Sequence, residues 1–158
     1  MKITLGERTA ETVAIYFHKT NNERIRKVLP QKAQTVEEAL ADYERARLPG
    51  ATSYGRTIFV EDRYVGDIWC YGIDPADTPG AMVSYCVFET ECWGKGIATE
   101  ATRMFLCEIA TKYQLGTVGA FTFSNNTASV KVLEKNGFQC VEEFVENGVS
   151  SRYYQFEM

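Results

Sequence analysis

Gly94 and Gly96 lie two residues apart where an apolar strand pattern gives way to a helical one, in the run Glu91-Cys92-Trp93-Gly94-Lys95-Gly96-Ile97-Ala98. Glycines at a strand-to-helix turn let the backbone curl until several N–H groups point one way. The helix start adds unpaired N–H donors and partial positive charge. Such a turn suits a phosphate or diphosphate, and Lys95 adds a full charge beside it. Taken alone, the same glycines serve a plain tight turn equally well. Two phosphate motifs are excluded. No Ser or Thr follows Lys95, as a P-loop requires, and the three-glycine dinucleotide fingerprint with its parallel unit is absent.

A second polar group follows about 30 residues on, at Ser124-Asn125-Asn126-Thr127-Ala128-Ser129. It ends one strand and opens a helix that reaches Glu134-Lys135-Asn136-Gly137-Phe138. Asn126 suits a helix N-cap, and Ser129 a first-turn serine. These two segments, Trp93-Gly94-Lys95-Gly96-Ile97-Ala98-Thr99-Glu100-Ala101 and Asn126-x-x-Ser129 with Leu133 to Phe138, resemble the GNAT N-acetyltransferase superfamily. Within it they look most like the ribosomal-protein N-terminal acetyltransferases. The matching motifs span about Gly80 to Phe138.

The resemblance implies an acetyl-CoA-dependent N-acetyltransferase in which a primary amine attacks the thioester directly. The superfamily's diphosphate loop reads Gln/Arg-x-x-Gly-x-Gly/Ala. Gly96 and Ala98 fit it, whereas Trp93 replaces the first polar residue. By analogy the N–H groups from Gly94 through Lys95, Gly96 and Ile97 to Ala98 hold the coenzyme A diphosphate. Cys86, Val87 and Phe88 then lie along the pantetheine arm, which runs beside the preceding strand like an added one. One of their N–H groups would polarise the thioester carbonyl. Asn126 matches a pantetheine contact. Many relatives carry a Tyr that serves the departing thiolate four residues before the helix-closing Gly; here that residue is Leu133. Ser129 lies one turn earlier on the same face, and in the resembled branch it takes the role. The resemblance also implies homodimers among relatives. It leaves the acceptor open between a protein N-terminus and a small amine.

No base is singled out by spacing. Glu89, Asp67, Glu142 and Glu143 are candidates by strand position, each equally readable as a surface carboxylate. His18, the only histidine, falls in the first helical stretch, so neither a Cys-His nucleophile nor a metal site is expected. Trp93 and Leu133 are departures from the family pattern, and they motivate one alternative, an acyl-CoA-binding sensor that transfers nothing. Tyr43, Phe144 and Tyr153 are candidate linings of an acceptor pocket.

The elements that must position these residues are read from periodicity. A strand is expected at Lys2 to Leu5, a helix from Thr9 to about Lys27, and a second helix from a capping box at Thr35 to about Arg47. A hairpin follows, Arg56 to Val60 and Tyr64 to Ile73, then a loop from Asp74 to Gly80 and a strand from Gly80 to Phe88. The long helix after the glycine turn is expected to end at Gly116. A strand at Thr117 to Phe123, a helix at Asn126 to Asn136 and a hairpin across Asn147-Gly148 complete the chain. This order gives an α/β (α+β) layered fold, one domain over residues 1–158. With the resemblance it becomes a mixed, mostly antiparallel sheet of about seven strands flanked by about four helices.

Composition sets outer limits. The 158 residues are 45% hydrophobic and 24% charged, which suits one packed core rather than a disordered chain. The formal charge of −4, without a Lys/Arg cluster, opposes nucleic-acid binding and mildly favours cationic amines. Five cysteines, an odd number without a CxxC pair, suggest a reducing, cytoplasmic setting. No apolar run approaches 18 residues, so no membrane span is expected.

Overall fold

A computed structural model describes residues 1–29, 33–74 and 79–158. Among these residues seven strands form one sheet in the order β1-β2-β3-β4-β5-β7-β6. They are β1 (Ile3–Glu7), β2 (Tyr54–Val60), β3 (Arg63–Asp74), β4 (Gly80–Val87), β5 (Thr117–Phe123), β6 (Gln139–Glu146) and β7 (Val149–Glu157). Every neighbouring pair is antiparallel except β4 and β5. The expected mixed, mostly antiparallel sheet is what is found. Among the described residues five α-helices accompany it: α1 (Ala10–Thr20), α2 (Glu23–Arg26), α3 (Val36–Ala46), α4 (Ile97–Tyr113) and α5 (Thr127–Lys135).

The first helical stretch divides in two where one helix was expected. Asn22 interrupts it, accepting from the Ile25 N–H as the α2 N-cap while its amide donates to the Lys19 carbonyl. Asparagine bonds to backbone in this way more readily than it continues a helix. Thr35 caps α3 as expected, accepting from the Glu38 N–H. The reciprocal bond goes to Gln34 N–H instead of the cap's own. The two-residue links Glu61-Asp62 and Asn147-Gly148 both have positive φ at each residue, the geometry that matches strand twist in tight hairpins. The loop expected from Asp74 to Gly80 lies for the most part outside the described residues. Its end residues close β3 and open β4.

The long helix ends earlier than its glycine suggested. Gln114 takes the left-handed cap position at φ 52°, its N–H donating to the Ala110 carbonyl. Gly116 instead donates to the Pro79 carbonyl and ties the start of β5 to β4. A non-glycine residue in that conformation costs about 1 kcal/mol or more. Gln114→Gly is therefore expected to stabilise the fold by about 0.5–1 kcal/mol, net of glycine's extra unfolded-state freedom. Thermal denaturation should show a rise in Tm.

One feature of the sheet governs the site. The parallel β4–β5 pair holds for only three residues, Gly80↔Thr117, Ala81↔Val118 and Met82↔Gly119. Beyond it β4 stays with β3 as far as Val87, and β5 stays with β7 as far as Phe123. A gap opens between the two halves. At the branch a Cβ on Gly119 would meet the Tyr153 hydroxyl at 2.7 Å and the Met82 sulfur at 2.8 Å, so these two side chains fill the point of parting. The main core lies between the sheet and α4, with Phe105, Ile109, Ile68, Val118 and Tyr154 almost fully buried.

Candidate active site

The glycine turn stands at the end of β4, after a short 3-10 turn at Thr90–Cys92. Gly94 and Gly96 have φ of 75° and 79°, and a Cβ on either would meet nothing within 4 Å. Trp93, Gly94, Lys95 and Gly96 are all exposed. Helix α4 has no side-chain cap, and its first residue, Ile97, is anchored in the core. Among the described residues none accepts a hydrogen bond from the N–H groups of Gly94 to Ala98. The turn is thus an exposed stretch with main-chain donors unpaired among the described residues, at the N-terminus of a 17-residue helix, a combination suited to a diphosphate.

Trp93 fastens this turn to the strand. Its indole N–H donates to the Val87 carbonyl at 2.7 Å, and the Arg24 guanidinium stacks on its ring at 5.1 Å. The departure from a polar residue therefore exchanges a possible ligand contact for an anchor. Trp93→Phe should loosen the turn by one neutral hydrogen bond, about 1 kcal/mol, and weaken acetyl-CoA binding about fivefold. Titration calorimetry checks this; unchanged affinity would mean that the turn holds its shape unaided.

Strand alternation decides which β4 groups face the gap. Phe88 N–H donates to the Val65 carbonyl, and Gly66 stands opposite Val87. Cys86 and Phe88 therefore turn their main-chain groups toward β3, and Tyr85 and Val87 turn theirs toward β5. Of the three strand residues expected along the pantetheine arm, Val87 alone turns its main chain there, with its N–H open and its carbonyl taken by Trp93. The side chains of Cys86 and Phe88 pack with Ile25 and Tyr16 under the first helices.

Ser129 sits in the first turn of α5, its N–H donating to Asn126 Oδ1 at 3.2 Å. Asn126 is thus the N-cap that its sequence position suggested. The Ser129 hydroxyl accepts from the Tyr85 hydroxyl at 3.1 Å, a bond that reaches from β4 across the gap to α5. Burial pushes the Tyr85 phenol up to about 12, against a smaller lowering by Ser129. It stays a neutral donor. Sequence reasoning missed Tyr85, because nothing local relates two residues 44 positions apart. Leu133, at the usual tyrosine position, is 1% exposed and belongs to the core.

On the other face of β3 and β4 lies a cavity of about 420 Å³, walled by α1, α3 and the sheet. Arg8, Tyr16, Tyr43, Asp67, Trp69 and Ser84 are among its lining residues. Tyr43 is there as expected, its hydroxyl donating to the Arg8 carbonyl. Phe144 and Tyr153 are elsewhere, grouped with Phe121 on the sheet surface near β6. His18 is exposed on α1. The five cysteines are free, Cys70 and Cys86 buried and Cys107 and Cys140 exposed. Among the described residues no helix is long and apolar enough to cross a membrane, and no three acidic, Cys or His side chains form a metal-sized group.

A family profile described as an acetyltransferase (GNAT) domain matches residues 3–139, so it takes in the turn, the gap and α5 together. The chain belongs to the GNAT acetyltransferase family. As a member it is an N-acetyltransferase that acts on amines. Among solved structures, the GNAT chain superposes on RimL, a ribosomal L7/L12 α-N-protein acetyltransferase in complex with coenzyme A, with TM-score 0.83 and 18% identity. That match covers 100% of this chain and 95% of the other. The aminoglycoside acetyltransferase AAC(6')-Ib with coenzyme A gives TM-score 0.80 at 14% identity, covering 99% and 95%. A ribosomal-protein-S5-alanine acetyltransferase from Vibrio fischeri gives 0.80 at 19%, covering 98% and 91%. At such identities the likeness is one of fold. Among curated proteins no sequence matches.

Proposed function

We propose that this GNAT chain transfers the acetyl group of acetyl-CoA to a primary amine seated in the 420 Å³ cavity, by direct attack on the thioester. The observation that carries the proposal is the gap between β4 and β5, which opens beyond the Met82↔Gly119 pair along the strand that runs on to the donor turn of α4. Gly94 to Ala98 would hold the diphosphate by main-chain N–H groups, with Lys95 adding charge at the rim. The Val87 N–H and the Tyr85 main chain would meet the pantetheine arm, and Asn126 would border it at α5. When bound, acetyl-CoA supplies the activated acyl group. Ser129, oriented by Tyr85, supplies a proton to the departing thiolate.

The cavity falls in the range that encloses small ligands. It suits a small amine or the first residue or two of a peptide. Structural likeness extends to proteins of both kinds, an aminoglycoside acetyltransferase and a ribosomal L7/L12 α-N-protein acetyltransferase. The test is a coenzyme A release assay with the purified chain across N-terminal peptides and small amines. Saturable, amine-dependent release supports transfer. Tight acetyl-CoA binding without release to any amine would instead make the chain a sensor.

A further inference from the structure

Of the four strand carboxylates that sequence offered as a base, two are committed to other partners and a third is exposed on the far edge of the sheet. Glu89 is bridged by Lys19 and Arg63, each at 3.1 Å. Glu142 is exposed on β6, and Glu143 is held by Arg152 and Ser124. Asp67 differs from all of them. It lines the cavity, and among the described residues it is the only buried acidic side chain, at 2% exposed. It lies on β3 directly opposite Cys86 of β4, the strand that borders the gap.

Its two oxygens are held separately. The Tyr64 hydroxyl donates to Oδ1, and Arg8 Nε lies 3.2 Å from Oδ2. A carboxylate has about four acceptor positions, so each oxygen keeps capacity for a further donor. Arg8 is itself fixed. Its guanidinium stacks on Trp69 at 5.7 Å and occupies the space a Cβ on Gly55 would take, at 2.4 Å. This arrangement sets an ionised carboxylate, in one rotamer, against a cavity wall.

We propose that Asp67 is the general base of this acetyltransferase, taking a proton from the acceptor ammonium in the cavity, with Arg8 and Tyr64 as positioning residues. The proposal rests on the transfer reading above. One ammonium proton passes to an Asp67 oxygen and on to solvent. The nitrogen loses its second proton as the C–N bond forms and the C–S bond breaks. The departing thiolate takes one, so one proton is released for each amide made.

Electrostatics supports the geometry. Burial raises the Asp67 carboxyl to about 6, against opposing contributions from Arg8 and Tyr64. The other titratable groups facing it are Tyr16 of α1 and Cys86 of β4, both pushed up chiefly by burial and therefore neutral, while Asp42 and Tyr43 of α3 line the same cavity. A base poised near neutrality is ionised at working pH and still accepts a proton. Activity needs the carboxylate, so kcat/KM falls as pH drops through the Asp67 value. Removing the Tyr64 hydroxyl removes a bond to the charged form and moves that acid limb to higher pH.

The experiment measures kcat/KM against pH for the wild-type chain, Tyr64→Phe and Asp67→Asn, with acetyl-CoA affinity by calorimetry on each. Expected are an acid limb near 6 in wild type, an upward move of about one pH unit in Tyr64→Phe, and a loss of about 10²-fold or more in Asp67→Asn with acetyl-CoA still bound. An unmoved limb in Tyr64→Phe, or Asp67→Asn within about threefold of wild type, overturns the assignment. If Asp67→Asn does not fold, the Tyr64→Phe limb decides alone. Transfer by wild type with an unmoved limb sinks Asp67 and spares the transfer reading; absence of transfer to any amine sinks both.

Discussion

Ser129→Ala is expected to lower kcat for amine acetylation by about 10²-fold, the usual worth of a positioned proton donor, with KM for acetyl-CoA unmoved. Leu133 fills the position where many GNAT relatives carry tyrosine, and it is buried in the core, so that side chain supplies no proton. Ser129 stands one turn earlier on α5, and its oxygen accepts from the Tyr85 hydroxyl. That bond leaves the serine's own hydrogen to point elsewhere, and the gap is beside it. Tyr85→Phe should therefore cost less than Ser129→Ala, about tenfold, because the serine remains but loses its orientation. The double variant should be no slower than Ser129→Ala alone, as expected for two groups acting as a unit. A structural role would give the same deficit with any thioester. Proton donation to the thiolate gives a deficit that shrinks when a more acidic thiol leaves. Steady-state rates with acetyl-CoA and with an acetyl thioester of an acidic aromatic thiol separate the two.

What was legible in the sequence is what short range determines. Gly94 and Gly96 could be assigned to a turn because only glycine adopts positive φ freely, and both do so here. Asn147-Gly148 and Thr35 were readable for the same reason: a turn or a cap is made by residues within four positions of one another. The misreadings have physical causes. Gly116 looked like a helix cap, yet sheet pairing claimed its N–H, and Gln114 was left to take the strained position. Asp67 and Glu89 were indistinguishable as strand acids. What separates them is burial and partner, and both come from distant chain: Arg8 in one case, Lys19 and Arg63 in the other. The Tyr85–Ser129 contact and the parting of β4 from β5 are likewise products of tertiary packing, with no local pattern to announce them.

The cup of main-chain donors is tested most sharply at Gly96. Gly96→Val is expected to weaken acetyl-CoA binding by about 10²-fold, the loss of one or two hydrogen bonds to a charged group. Gly96 holds φ 79°, and it is the N-cap of α4. A β-branched residue is strongly disfavoured there, so the backbone must rotate and carry the adjoining N–H groups out of alignment. The free chain should tolerate the change, at a cost of about 1–2 kcal/mol, because an added Cβ meets no neighbour within 4 Å. The variant is thus expected to stay folded and to bind poorly, a combination that packing damage does not produce. Two measurements read it: thermal denaturation without ligand, and calorimetry with acetyl-CoA and with a pantetheine thioester that lacks the diphosphate. Only the diphosphate-bearing ligand should lose affinity. Equal losses for both ligands would place the damage along the β4 arm instead. Undiminished acetyl-CoA affinity would mean that the diphosphate is held somewhere other than the turn at Gly94 and Gly96.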